Sequence, residues 1–262
     1  MTNNNPWALI LGASSGFGEA AAVTLAAAGY DIVGVHLDRR AGLAHVEEIV
    51  GQIRAHGRKA LFFNVNAADA EKRAEVLEAA AAEIGSGQIR VLLHSLAFGA
   101  LKPFIADDEK DALSQAQMDM TLDVMAHSLV YWTQDTVRRG LLRSGSKIYS
   151  MTSSGDHVMW KAYGAVSAAK CALESHTRQL AVELSPLGIT ANAIKAGVTD
   201  TPALRKIPGN DAIIESAKAR NPGGRLTTPE DVARCLVALS APGTEWLTGN
   251  VINVDGGEDI AG

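Results

Sequence analysis

Trp7-Ala8-Leu9-Ile10-Leu11-Gly12-Ala13-Ser14-Ser15-Gly16-Phe17-Gly18 is the stretch on which the reading of this chain turns. Five apolar residues make a short strand buried on both faces, and the glycines then follow as G-x-x-x-G-x-G. Gly16 to Ala28 carries a helical pattern, with Gly29 placed to end it. A glycine turn between a strand and a helix lets the backbone come close to a pyrophosphate. The helix N-terminus then offers unpaired N–H groups and a partial positive charge. Gly12, Ser14, Ser15, Gly16, Phe17 and Gly18 are therefore candidate nucleotide-binding residues.

The same strand-then-helix unit recurs outward from this point. Strands are expected at Asp31–Leu37, Ala60–Val65, Ile89–Ser95, Lys147–Thr152, Ile189–Lys195 and Val251–Val254. Helices are expected at Ala41–His56, Asp69–Ile84, about Glu109–Arg139, Met159–Leu184 and Pro229–Leu239. Alternation of this kind implies right-handed βαβ units: an α/β, Rossmann-like, doubly wound parallel sheet with helices on both faces, in one domain spanning 1–262. Such sheets bind ligands beyond the carboxyl ends of their strands.

At the end of the second strand lie Asp38, Arg39 and Arg40. A carboxylate there suits the two ribose hydroxyls of NAD, whereas arginine suits the 2′-phosphate of NADP. Both signals are present. The reading taken is NADPH, with NADH as the alternative.

Of the four tyrosines, Tyr163 alone has a lysine downstream on the same helical face, Lys170, almost two turns on. When hydride leaves a nicotinamide, negative charge develops on the substrate oxygen. A phenol can hydrogen-bond or protonate that oxygen, and a nearby ammonium would lower the phenol pKa.

Composition is that of an ordinary folded domain, 47% hydrophobic and 20% charged, with net charge −5. This offers no basic patch for nucleic acid or an anionic membrane. No apolar run reaches the roughly 20 residues of a spanning helix, and the N-terminus lacks a signal-peptide layout, so a cytoplasmic protein is expected. Cys171 and Cys235 are expected as free thiols, and no metal-ligand spacing is found.

These pieces together resemble the short-chain dehydrogenase/reductase family over essentially the whole chain. The motifs are the glycine loop, Ser153-Ser154-Gly155, the Tyr163/Lys170 pair, Ala191-Asn192-Ala193-Ile194 with Gly197 and Thr201 beyond, and Val254-Asp255-Gly256-Gly257. The departures are specific. Val166 stands where most members have their tyrosine, His94-Ser95-Leu96-Ala97-Phe98-Gly99 replaces Asn-Asn-Ala-Gly, and Met125 falls where a catalytic asparagine is expected. They look like the enoyl-acyl-carrier-protein reductase branch, with its Tyr-x6-Lys spacing. The run from Tyr163 through Ala165-Val166-Ser167-Ala168-Ala169-Lys170 to Leu180-Ala181-Val182-Glu183-Leu184-Ser185-Pro186 is most similar to the type III, NADPH-preferring form.

The resemblance implies a reductase of the carbon–carbon double bond of a trans-2-enoyl thioester, carried on acyl carrier protein or coenzyme A. Tyr163, Lys170 and Ser153 would be catalytic. Lys170, Asn64, Val65, Ser95, Leu96, Ala97, Gly197, Val198 and Thr201 would meet the cofactor. Phe98, Met159 and Trp160 would line an apolar substrate pocket under a lid at about 198–224, and a homotetramer is implied. His157, between the serine loop and Tyr163, is read as structural. Two rivals stand beside this reading: an oxidoreductase of the same fold acting on a carbonyl, an alcohol or another activated alkene, and a non-catalytic dinucleotide-binding protein.

Overall fold

The computed structural model describes residues 5–85, 88–158 and 160–261. Seven parallel strands form one sheet in the order β3-β2-β1-β4-β5-β6-β7. They are β1 (Trp7–Leu11), β2 (Asp31–His36), β3 (Ala60–Asn64), β4 (Ile89–His94), β5 (Lys147–Ser153), β6 (Thr190–Ala196) and β7 (Val251–Val254). The order reverses between β1 and β4, and the crevice at that switch is where an open α/β sheet holds a ligand.

Alternate residues of the strands feed two separate cores. Leu9, Leu11, Val33, Val35 and Leu92 point to one face. There they meet Val76, Leu77, Ala80 and Ile84 of α3 (Ala70–Ile84), Leu129 and Trp132 of α5 (Ser128–Arg138), and Val166, Ala169 and Leu173 of α6 (Gly164–Leu184). Ala8, Ile10, Ile32, Val91 and Leu93 point to the other. They pack on Ala21, Ala22 and Leu25 of α1 (Gly16–Ala27), Ile49 and Ile53 of α2 (Leu43–Ala55), and Val232 and Leu236 of α8 (Pro229–Leu239). Burial on both faces is why the central strands read as unbroken apolar runs rather than alternating ones.

Three expectations are corrected. The helix expected over Glu109–Arg139 is not continuous. Ser114 and Gln117 form a reciprocal capping box, so α4 (Gln115–Leu122) starts there. A π-turn then covers Asp123–His127 before α5 resumes. The helix expected from Met159 starts at Gly164, with Tyr163 in the capping position. Ala162 holds a left-handed backbone (φ 64°) and turns the chain into the helix, the only non-glycine residue to do so among those described. Met159 lies outside the described residues. Strand ends shift by one: β2 stops at His36, β5 runs through Ser153 and β6 through Ala196.

After β6 the chain makes a short turn and then α7 (Asn210–Arg220), which lies within the stretch expected as a lid. Among the described residues no helix is long and apolar enough to cross a membrane, and both cysteines are free thiols.

Candidate active site

The loop after β1 is shaped by contacts that tolerate no side chain. A Cβ on Gly18 would lie 1.9 Å from the Gly12 carbonyl oxygen, and one on Gly12 would lie 2.4 Å from the Ser95 carbonyl oxygen. The first contact lets α1 begin directly against the turn. The second brings the loops after β1 and β4 together at the topological switch. Ser15 occupies the N-cap position of α1 without a side-chain cap, so the first N–H groups stay directed at the crevice. Gly16 sits 3.3 Å, measured from where its Cβ would be, from Thr201 Cγ2, which joins this loop to the segment after β6.

At the end of β2 the charged residues are differently engaged. Asp38 is engaged: its carboxylate lies 2.8 Å from His36 Nδ1. Its backbone N–H donates to Asn64 Oδ1, and its carbonyl accepts from Asn64 Nδ2, both at 2.9 Å. Asn64 thus spends its side chain tying β3 to the β2 end, while Val65 N–H bonds the His36 carbonyl at 2.8 Å. Arg39 and Arg40 are exposed, and neither has an ion pair among the described residues.

A cavity of about 360 Å³ opens beyond β4, β5 and β6. It gathers Phe17, Ser95, Ala97, Phe98, Ser153, Trp160, Tyr163, Lys170, Gly197, Val198 and Thr201 from six separate segments. Leu96 is not on this wall; its Cδ2 lies 3.5 Å from the Gly12 Cβ position. Trp160 has a second attachment: its indole N–H donates to the Pro208 carbonyl at 3.1 Å, tying the cavity wall to the segment leading into α7.

Ser153 Oγ accepts the Gly155 N–H at 3.3 Å, which leaves its own proton for a hydrogen bond with the Tyr163 phenol. The Tyr163 ring packs over Gly155, where a Cβ would lie 2.5 Å from Cε1. Burial raises the phenol above its ordinary range and the Ser153 bond pulls it back down. The expected lowering by Lys170 is replaced by this net rise. The reason is where the ammonium points: Lys170 Nζ donates to the Met151 carbonyl at 2.7 Å. Burial depresses Lys170 to about 8, partly offset by the Glu174 carboxylate.

Beside Lys170 stands His94, fully buried and held neutral with a pKa of about 3, through burial and then the Lys170 charge. Ser128 Oγ gives its proton to the Val124 carbonyl at 2.8 Å, so His94 Nε2 is the donor to Ser128, also at 2.8 Å. This chain braces the π-turn, and the π-turn places Met125 on the cavity wall. Val166 is buried and shares with Met125 and Thr121 the space that a side chain on Gly99 would need.

The far wall lies within the stretch expected as a lid, but its individual residues were not singled out from the sequence. Leu204, Lys206, Ile207, Ile213 and Ser216 line the cavity from the turn after β6 and from α7. No local pattern marks them, because their partners lie about 50 residues earlier. Glu258 was missed too; its Oε2 accepts the Val198 N–H at 3.0 Å from the far end of the chain.

A family model described as "Enoyl-(Acyl carrier protein) reductase" matches residues 12–258. The chain belongs to this family, within the short-chain dehydrogenases/reductases. Among curated proteins it is 30% identical to "Uncharacterized oxidoreductase YjdA" of Bacillus subtilis, with 95% of each chain covered. It is 28% identical to "Cyclohexanol dehydrogenase" of Rhodococcus, with 98% of each covered. Among solved structures it resembles an NADH-dependent enoyl-[acyl-carrier-protein] reductase from Aquifex aeolicus. That match has 24% identity and a TM-score of 0.84, over 97% of this chain and 96% of that one, and it speaks to the fold alone. The protein is an oxidoreductase of this family.

Proposed function

We propose that this protein reduces the carbon–carbon double bond of an enoyl thioester at the expense of NADPH. One observation carries the reading. Among the described residues the phenol on the cavity is Tyr163, in front of the first turn of α6, while the position one turn along is the buried, apolar Val166. A carbonyl reductase needs its proton donor at the oxygen of the carbon that receives hydride. An enoyl reductase needs it at an oxygen two carbons further away, and a displaced phenol meets that need.

The residues fit a phosphorylated dinucleotide. The Gly12–Gly18 contact leaves a cradle that any Cβ would fill, and the unpaired Arg39 and Arg40 suit a 2′-phosphate, while Asp38 is turned to His36. When bound, NADPH supplies the hydride. The protein's own groups do the rest. Tyr163 donates to the thioester oxygen and stabilises the enolate that forms as the β-carbon is reduced. Ser153 holds the Tyr163 hydroxyl. Lys170, fixed by the Met151 carbonyl, presents its ammonium for the ribose hydroxyls. Phe98 and Trp160 give an apolar wall to the acyl chain, and the segment 198–224 closes over it as a lid, with Trp160 tethered to it. The carrier is acyl carrier protein or coenzyme A, and the working unit a homotetramer.

A second reading has its own support. A Ser–Tyr pair on one oxygen also suits a carbonyl, and a relative bears the name cyclohexanol dehydrogenase. Loss of absorbance at 340 nm separates the two. The expected outcome is oxidation of NADPH with a trans-2-enoyl thioester and none with the matched 3-oxoacyl thioester. Turnover of the 3-oxo compound alone would replace this reading with a carbonyl reductase, and silence with both points to another activated alkene or a binding protein.

A further inference from the structure

Beneath the serine loop lies a buried ion cluster that the reaction above does not use. Its centre is Lys195, the penultimate residue of β6. Lys195 Nζ lies 2.9 Å from Asp156 Oδ2, 4.0 Å from Glu174 Oε1 and 4.0 Å from Asp259 Oδ2. Asp156 ends the short turn that begins at Ser154. Its other oxygen accepts from His157 Nδ1 at 2.6 Å, and His157 Nε2 reaches Asp259 at 3.0 Å. From α6, the Glu174 carboxyl accepts the Thr152 hydroxyl at 2.8 Å. Cys171, again on α6, donates its thiol to the Asp156 carbonyl at 3.2 Å. Five parts of the chain therefore meet in this cluster: β5, its loop, α6, β6 and the C-terminal segment.

A surface ion pair would contribute little, but here both Lys195 and Asp156 are largely withdrawn from water. Burial works against the charged form of Asp156. The bonds from Lys195 and His157 overcome it and hold the carboxyl below its usual range. Glu174, by contrast, is pushed upward by burial. Asp156 is three residues from Ser153 and next to Gly155, the residue on which the Tyr163 ring rests and whose N–H holds Ser153 Oγ.

We propose that Asp156 is the positioning residue of the active site: anchored by Lys195 and clamped to the C-terminal segment through His157 and Asp259, it fixes the Ser153 hydroxyl against the Tyr163 phenol. His157, read from sequence as structural, then has a defined task as the strap between loop and C-terminus. The proposal rests on Tyr163 being the acid of the reaction.

The sign of one measurement isolates positioning from plain electrostatics. Removing the negative charge of Asp156 would by itself make the phenol easier to ionise. Losing the Ser153 hydrogen bond makes it harder. The test is an NMR titration of protein labelled with 13C at the tyrosine ζ carbon, with Tyr163→Phe assigning the resonance. In Asp156→Asn the Tyr163 titration should move upward, as in Ser153→Ala, while Tyr30, Tyr131 and Tyr149 stay in place. Adding Asp156→Asn to Ser153→Ala should give no further upward movement, because only the charge effect remains. Turnover should fall about tenfold to a hundredfold, the scale of a small misplacement of reacting groups, and Asp156→Glu should recover part of it.

A downward or absent shift in folded Asp156→Asn overturns the proposal, as does an equal upward shift in the Ser153→Ala background. Should Asp156→Asn not fold, Asp259→Asn, at the chain's end, must give a smaller shift of the same sign. The titration needs no substrate, so failure of the enoyl reading leaves this result intact.

Discussion

The two halves of the sheet's carboxyl edge are built on different principles. Around β1, β2 and β3 the candidate groups are largely backbone: a loop with no room for a Cβ, the first N–H groups of α1, and two exposed arginines with no ion pair among the described residues. Around β4, β5 and β6 they are side chains brought from distant segments: Tyr163 on Ser153, Lys170 on the Met151 carbonyl, Met125 on a π-turn braced by His94. On the proposed function the first half faces a pyrophosphate, which any dinucleotide presents. On the proposed function the second half must meet the substrate oxygen at a particular point, which takes side chains placed by the tertiary fold.

That contrast predicts different failures. In the reaction half, Tyr163→Phe removes a donor and little packing. Turnover should fall about a hundredfold to ten-thousandfold with thermal stability and NADPH affinity unchanged. An equal loss of cofactor binding would show that the halves are not separable. In the cofactor half, Gly18→Ala forces a methyl group into the Gly12 carbonyl. It should cost at least about 3 kcal/mol in urea unfolding and abolish NADPH binding. A folded, binding-competent variant would break the claim that this half is defined by backbone.

His94 sharpens the comparison through pH. Its folded pKa, about 3, lies below the unfolded value of about 6.5, so the fold favours the neutral ring. Stability is therefore full above pH 6.5 and is lost as pH falls towards 3, with a slope approaching about 1.4 kcal/mol per pH unit. Urea midpoints between pH 7 and 4 should show that slope, and His94→Gln should flatten it. The smallest effect is expected for Arg39→Ala combined with Arg40→Ala. NADPH affinity should fall about tenfold to a hundredfold while NADH affinity is kept, since only the 2′-phosphate loses its partners. Equal loss for both cofactors would return Asp38 to the role of ribose reader.

Much of this was legible in advance because it depends on local chemistry. The strand positions followed from apolar runs, and the fold from their alternation with helices. The glycine loop followed from its spacing. The errors sit where local pattern is outvoted. Glu109 to Arg139 has helical composition throughout, yet Ser114 caps a later start and the packing of β4 on this helix, through His94 and Ser128, accompanies a π-turn. Tyr163 and Lys170 share a spacing that suggests one helical face, but the left-handed Ala162 leaves the tyrosine just outside the helix.

The sequence by itself determined the parallel α/β sheet, because apolar runs and their alternation with helices are local patterns, and it singled out the glycine loop by spacing and the Tyr163/Lys170 pair by family resemblance. Tertiary structure alone decided that the Lys170 ammonium turns to Met151 rather than to the phenol, that Asp38 is taken by His36, that Met125 and Val166 close the ordinary tyrosine position, and that Asp259 returns to His157 beneath the serine loop. Apart from the His36–Asp38 pair, two positions apart, those outcomes depend on contacts between residues about twenty to a hundred positions apart, and on burial, which sets the charge state of a group only after the chain around it has folded.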